Sequence, residues 1–122
     1  MARPLLRLDL PRDRTAAAAA RRAIGELDLP GAEQTRIAVA LLATELVNNA
    51  VLHGRGTNVQ LELTHADERL RVEVCDEGNG FDRSQRTERD DPGGWGLAIV
   101  ESMSAEWGMY EGSTHVWFEL AV

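Results

Sequence analysis

The stretch that most constrains this chain is Leu42–Gly54, LATELVNNAVLHG. Leucine, valine and alanine cover nearly every azimuth of a helix drawn through it, and a helix that apolar should be mostly buried. Against that background Glu45, Asn49 and His53 recur at i, i+4 and i+8 and so line one side. A carboxylate and an amide carried into an interior need partners, because unpaired burial is costly. A metal-bound phosphate group would supply one. A partly exposed helix edge carrying ordinary polar residues would remove the need. Extended backwards, the pattern gives a helix over Glu33–Leu52, stopped by Gly54 and Gly56.

The segments around that helix fall into a simple order. Leu5–Leu10 alternates loosely and ends at Pro11, as a short edge strand would. Arg14–Leu27 carries the alanine run 16–20 and reads as a helix, with Asp13 or Thr15 to cap it and Pro30-Gly31 to close the connection. Val59, Leu61 and Leu63, then Leu70, Val72 and Val74, alternate with polar residues across the short link Ala66–Arg69. That is an antiparallel hairpin with one face on a core. Phe81–Gly93 is polar and unpatterned, a long loop of the kind that usually has a job. A third helix over Trp95–Ser104 follows. A strand at Glu106–Tyr110, a turn at Glu111–Ser113 and a last strand at Thr114–Val122 complete the order β-α-α-β-β-α-β-β. Helices laid on one face of a mixed, mostly antiparallel sheet predict an α/β two-layer sandwich.

With 122 residues the chain fits one domain, 1–122, around one core. A net charge of −7 argues against a partner that offers a nucleic-acid backbone, which wants a basic face. It leaves nucleotide binding open, since loop amides, helix ends and Mg²⁺ can hold phosphates. No apolar run of membrane-spanning length stands out, and the start MARPLLRLDLPRD has no signal-peptide pattern. The lone Cys75 rules out an internal disulfide and a thiolate cluster, so a reducing cytoplasm is the expectation. Cys75 itself lies in a strand pattern between apolar neighbours and reads as a packing residue rather than a nucleophile.

Two further motifs bear on chemistry. Asp76-Glu77-Gly78-Asn79-Gly80 follows a strand directly. A carboxylate there can accept from an exocyclic amine such as that of adenine, and glycines allow close backbone approach. A tight turn would use the same residue types. Gly93-Gly94-Trp95-Gly96-Leu97 opens a helix, where successive amides make an anion site or a hinge with an N-cap. The lysine of a Walker A loop is missing, and no βαβ unit surrounds the glycines.

In this order the three elements resemble the GHKL ATPase/kinase superfamily, whose members share the Bergerat ATP-binding fold. ELVNNAVLHG looks like its N box, DEGNG its first glycine box and GGWGLAIV its second. The small size and the ending WGMYEGSTHVWFEL are similar to the anti-sigma factor serine/threonine kinases. The resemblance implies that Asn49 holds Mg²⁺ and that Glu45 is the general base. It implies that Asp76 reads the adenine amine, and that Gly78 and Gly80 admit base and ribose. Gly94, Gly96 and Leu97 would belong to a lid over the phosphates. His53 would contact phosphate or lid, or cap the helix end, and Asn48 would point away. Thr114 is the candidate for a threonine near the base, with His115 between it and Val116-Trp117. Trp95 stands where relatives commonly have arginine, and Arg83, Arg86 or Arg89 could compensate.

The implied activity is transfer of the ATP γ-phosphate to a STAS-type anti-anti-sigma partner, which would regulate a sigma factor and hence transcription. The alternative is an ATP-binding regulatory protein that holds partners without phosphotransfer. A detached histidine-kinase catalytic domain is a third reading, weakened by the lack of a dimerising phosphoacceptor helix pair. Family members commonly pair, so apolar residues near the first helix could serve a homodimer or simply pack on their own sheet.

Overall fold

The computed structural model describes residues 2–77, 103–109 and 115–122. In chain order the elements are β1 (Arg3–Pro11), α1 (Ala16–Gly25), α2 (Glu33–His53), β2 (Asn58–Ala66), β3 (Arg69–Asp76), β4 (Glu106–Met109) and β5 (Val116–Ala121). The strands form one sheet in the order β1-β2-β3-β5-β4, and all four pairings are antiparallel. Both described helices pack on one face, giving the two-layer α/β sandwich that the pattern predicts. The predicted third helix falls largely outside the described residues, as do the loop 81–93 and the turn 111–113.

The alternating residues decide which face is covered. Leu61 pairs with Val74 and Leu63 with Val72, and Val72 pairs in turn with Phe118, so one apolar row crosses three strands. With a side-chain period of two, every second residue of each strand joins that face. Val59, Leu61, Leu63, Leu70, Val72 and Phe118 are fully buried there. Helix α1 adds Ala16, Ala20 and Ile24, and α2 adds Val39, Leu42, Ala43, Leu46 and Val47. The apolar residues of α1 are therefore taken up, at least in part, by this core.

The opposite sheet face is polar. Arg71 bonds Glu119 at 3.0 Å and Glu73 at 3.3 Å, while Arg69 reaches Glu119 at 3.3 Å. The Arg71 guanidinium also lies 4.2 Å from the centre of the Trp117 ring. Partly exposed pairs of this kind contribute about 0–1 kcal/mol each. A large buried side chain contributes about 1.5–3 kcal/mol, so the core rather than the ion pairs holds the sheet. Cys75 is on this outer face, where its thiol faces Gln60 at 3.8 Å. Burial, then Glu73, Asp76 and Glu62, push its pKa up; it is not the core packing residue that the pattern suggested, because strand parity puts it on the outer face.

Two expectations need correction. Helix α2 is not mostly buried: Ile37 remains 61% and Leu52 73% exposed, because a helix lying on a sheet hides one side only. Its 21 residues also have the length and apolarity of a membrane span, contrary to the sequence reading; in this structure one side of the helix is core. At the start of α1, of the two cap candidates that the sequence offered, Asp13 supplies the side-chain acceptor. Its carboxylate takes the Thr15 N–H at 2.8 Å and the Thr15 hydroxyl at 2.5 Å.

The β2–β3 link is a two-residue turn, Asp67-Glu68, with φ of 51° and 62°. Both residues are left-handed, as in the hairpin turn that matches strand twist; Asp67 suits the first position, but Glu68 stands where glycine is preferred. Replacing the pair by Asn-Gly (D67N/E68G) should raise the thermal midpoint by roughly 2–5 °C in a circular-dichroism melt. A lower midpoint would mean that the two carboxylates contribute more than the left-handed backbone costs.

Candidate functional site

The polar stripe of α2 drifts as it runs. Four residues overshoot one helical turn by about 40°, so each step from Glu45 to Asn49 to His53 rotates further round the helix. The drift carries the stripe from the helix edge towards the sheet. Glu45 is half-buried, Asn49 is buried at 7% exposure, and His53 is half-buried in the last turn. Asn48, one residue and about 100° away, is exposed, as expected of a side chain that points away.

Asn49 is the one buried polar residue in the described core, and its Nδ2 has no hydrogen-bond partner. An orphaned buried donor costs about 1–3 kcal/mol. A carboxamide carries both an NH₂ donor and an oxygen acceptor, so this residue can meet a phosphate oxygen or a hard cation. Among the described residues no group of three His, Cys, Asp or Glu side chains is arranged to hold a metal. A Mg²⁺ ion here would take most of its oxygens from phosphates and water, as that ion commonly does.

Asp76 ends β3 opposite Val59. It follows Val72 and Val74 at a spacing of two, which puts it on the helical side of the sheet. There its carboxylate lies against Gly54, the residue that ends α2: a Cβ on Gly54 would overlap both the Asp76 carboxylate and the Ala50 carbonyl. The helix ends where Gly54 turns extended, at φ −80° and ψ −173°, a conformation open to any residue; it is the lack of room for a Cβ that calls for glycine there. The contact joins two segments that the sequence could only list side by side. Asp76 stands at the C-terminal end of α2, and Glu45 lies about 12 Å back along the helix, at ~1.5 Å per residue.

The link after Gly54 is fixed by two side chains that sequence reading passed over. Arg12 donates from Nη1 to the Val51 carbonyl and from Nε to the Gly56 carbonyl, both at 2.7 Å. Its own backbone N–H bonds Thr57 O at 2.8 Å. From the other side the Glu77 carboxylate accepts the N–H of Thr57 at 2.5 Å, the N–H of Asn58 at 2.7 Å and the Thr57 hydroxyl at 3.1 Å. Gly56 makes room for it: with φ of +83°, any Cβ there would fall 2.5 Å from the Glu77 Cβ. The sequence read Glu77 only as a member of a glycine-rich turn. No local pattern marks Arg12, because its partners are 39 and 44 residues away.

Glu45, Asn49 and His53 thus line the last turns of α2, and Asp76 meets that line at its His53 end. Gly78, Gly80, Gly94, Gly96, Leu97 and Thr114, with Trp95 and the arginines at 83, 86 and 89, lie outside the described residues. A shallow groove on the opposite sheet face, lined by Arg7, Glu62, Glu73, Cys75 and His115 among others, includes none of these residues.

With that arrangement in view, comparison with known families is decisive: the model of the histidine kinase-like ATPase domain matches residues 10–120. The chain belongs to this family. No curated protein matches it. As a histidine kinase-like ATPase domain it is an ATP-binding domain of the GHKL superfamily. The family match covers both described helices, β2, β3 and β4 and all of β5 but Ala121; of β1 it takes in only Leu10 and Pro11. The unsatisfied Asn49 donor is of the kind that a nucleotide phosphate oxygen could meet.

The three bonds to Glu77 hold its carboxyl below the ordinary 4.5; the Asn58 N–H contributes most, then the Thr57 N–H and hydroxyl. A lowered pKa in the folded state means that the carboxylate form favours the fold. That contribution is complete above the ordinary value and disappears as pH falls through the lowered one. The gap in thermal midpoint between wild type and Glu77→Ala should therefore be widest above the ordinary 4.5 and narrow progressively as pH falls below it. A gap that ignores pH would show that Glu77 does not act through its charge.

Proposed function

We propose that this domain is an ATP-dependent serine/threonine protein kinase of the anti-sigma type. The carrying observation is Asn49: a buried amide with an unsatisfied donor, one turn from Glu45 and one turn from the helix end that meets Asp76. In this reading Asp76 accepts a hydrogen bond from the adenine amine at one end of the nucleotide. Asn49 serves the triphosphate through a phosphate oxygen or Mg²⁺, and the ion supplies charge neutralisation when bound. Glu45, at the far end of the stripe, takes the proton from an acceptor hydroxyl. The hydroxyl oxygen then bonds to the γ-phosphorus as the bridging bond to the β-phosphate breaks, and ADP leaves. His53 lies beside Gly54, at the Asp76 end of the site, and is assigned to the helix end there rather than to the phosphates. Gly78, Gly80, Gly94, Gly96, Leu97 and Thr114 are assigned as the sequence motifs suggest.

The acceptor proposed is a serine or threonine of a small STAS-type anti-anti-sigma protein, with a sigma factor as the competing partner and the cytoplasm as the setting. The chain's resemblance to anti-sigma kinases supports this choice. One sequence feature favours a second reading, an ATP-binding regulator without transfer chemistry: Trp95 occupies a lid position that is commonly arginine in relatives.

Labelled MgATP and a panel of STAS proteins separate the two. The kinase reading expects phosphoserine or phosphothreonine on a STAS protein that the domain retains. Glu45→Gln should lower that rate by about 10²–10⁴-fold while leaving ATP affinity within a fewfold. ATP binding without transfer to a retained STAS protein would establish the second reading instead.

A further inference from the structure

The contact between Gly54 and Asp76 depends on a short exposed link, Gly54–Thr57, that has no apolar anchor. Arg55, Gly56, Thr57 and Asn58 are all exposed. What locates them is polar and comes from two places far apart in the chain. Arg12, just past β1, donates to carbonyls on either side of Gly54. Glu77, just past β3, accepts from Thr57 and Asn58, and its N–H bonds the Arg55 carbonyl at 3.1 Å. Gly54 N–H closes the last helical turn on Ala50 O at 2.9 Å.

We propose that Arg12 and Glu77 are positioning residues for base selection: they clamp the Gly54–Thr57 link from both sides, so that Gly54 backs the Asp76 carboxylate and aims it at the exocyclic amine of adenine. The proposal rests on the adenine-nucleotide reading of the site. Neither residue touches the nucleotide. Their effect passes through the backbone at Gly54, where there is no side-chain slack between helix end and carboxylate. Loss of either clamp residue lets the link move and lets the carboxylate turn. Phosphate contacts at Asn49, more than a turn back inside a packed helix, stay in place.

The test compares MgADP with MgIDP, whose base carries a carbonyl in place of the amine, by calorimetric titration. Wild type should prefer ADP at least tenfold, and Asp76→Asn should lose that preference. Glu77→Ala and Arg12→Ala should each cut the ADP:IDP ratio at least fivefold with IDP affinity nearly unchanged. Glu77→Gln keeps an acceptor oxygen and should hold the ratio within about twofold of wild type. Ile24→Val, a core change in α1, lowers the melting temperature without touching the clamp and should leave the ratio alone. All titrations are run well below each variant's midpoint, so a purely structural role would not move the ratio. A wild type that selects ADP while both alanine variants keep the full ratio overturns the clamp. A wild type that binds neither diphosphate overturns the adenine reading, and the clamp with it.

Discussion

The packing of α2 on the sheet is the contact on which the rest of the structure depends. Val39, Leu42, Ala43, Leu46 and Val47 put one side of the helix onto the row that runs through Leu61, Val74, Val72 and Phe118. Once that side is fixed, helix geometry leaves no freedom for the polar stripe. Glu45 must come to the edge, Asn49 must be drawn in, and His53 must arrive where the helix meets the end of β3. The chemistry-bearing residues are placed by apolar packing in which they take little part. A core substitution that rotated α2 by even a fraction of a turn would therefore disarm the site while leaving every functional side chain intact.

Packing that strong can tolerate a local loss. The buried donor of Asn49 costs the fold about 1–3 kcal/mol, and a leucine of similar size would cost nothing of the kind. A residue that weakens the fold and yet occupies its most constrained helix points to a ligand that supplies the missing partner. Gly54 and Gly56 show crowding in the backbone: a Cβ on Gly54 would meet the Ala50 carbonyl and the Asp76 carboxylate, and one on Gly56 would meet the Glu77 side chain.

Much of this was legible in the sequence. Period-two alternation in 58–76 gave the hairpin and its buried face, and the repeat of Glu45, Asn49 and His53 gave the stripe. What stayed hidden has physical causes. Whether a stripe at i, i+4, i+8 is buried depends on where the helix edge meets the sheet, which only tertiary contact decides. Arg12 was invisible because an arginine's targets, here backbone carbonyls on another element, leave no trace in side-chain pattern. Glu77 was hidden inside a motif that directs attention to its glycines. The left-handed Asp67-Glu68 turn lacks the usual Asn-Gly signature, so only the length of the link betrayed it. Cys75 reads as a strand residue among apolar neighbours, but strand parity sends it to the outer face with Gln60 and Glu73.

The claim that α2 and the end of β3 form a nucleotide site turns on the buried amide, and Asn49→Leu tests it most directly. Two quantities are measured together: the thermal midpoint, and the affinity for MgATP by calorimetry. The account predicts a midpoint equal to or above wild type, because an unsatisfied buried donor is gone, together with at least a tenfold loss of MgATP affinity. An Asn49→Leu variant that melts as high as wild type and binds MgATP just as tightly would contradict it.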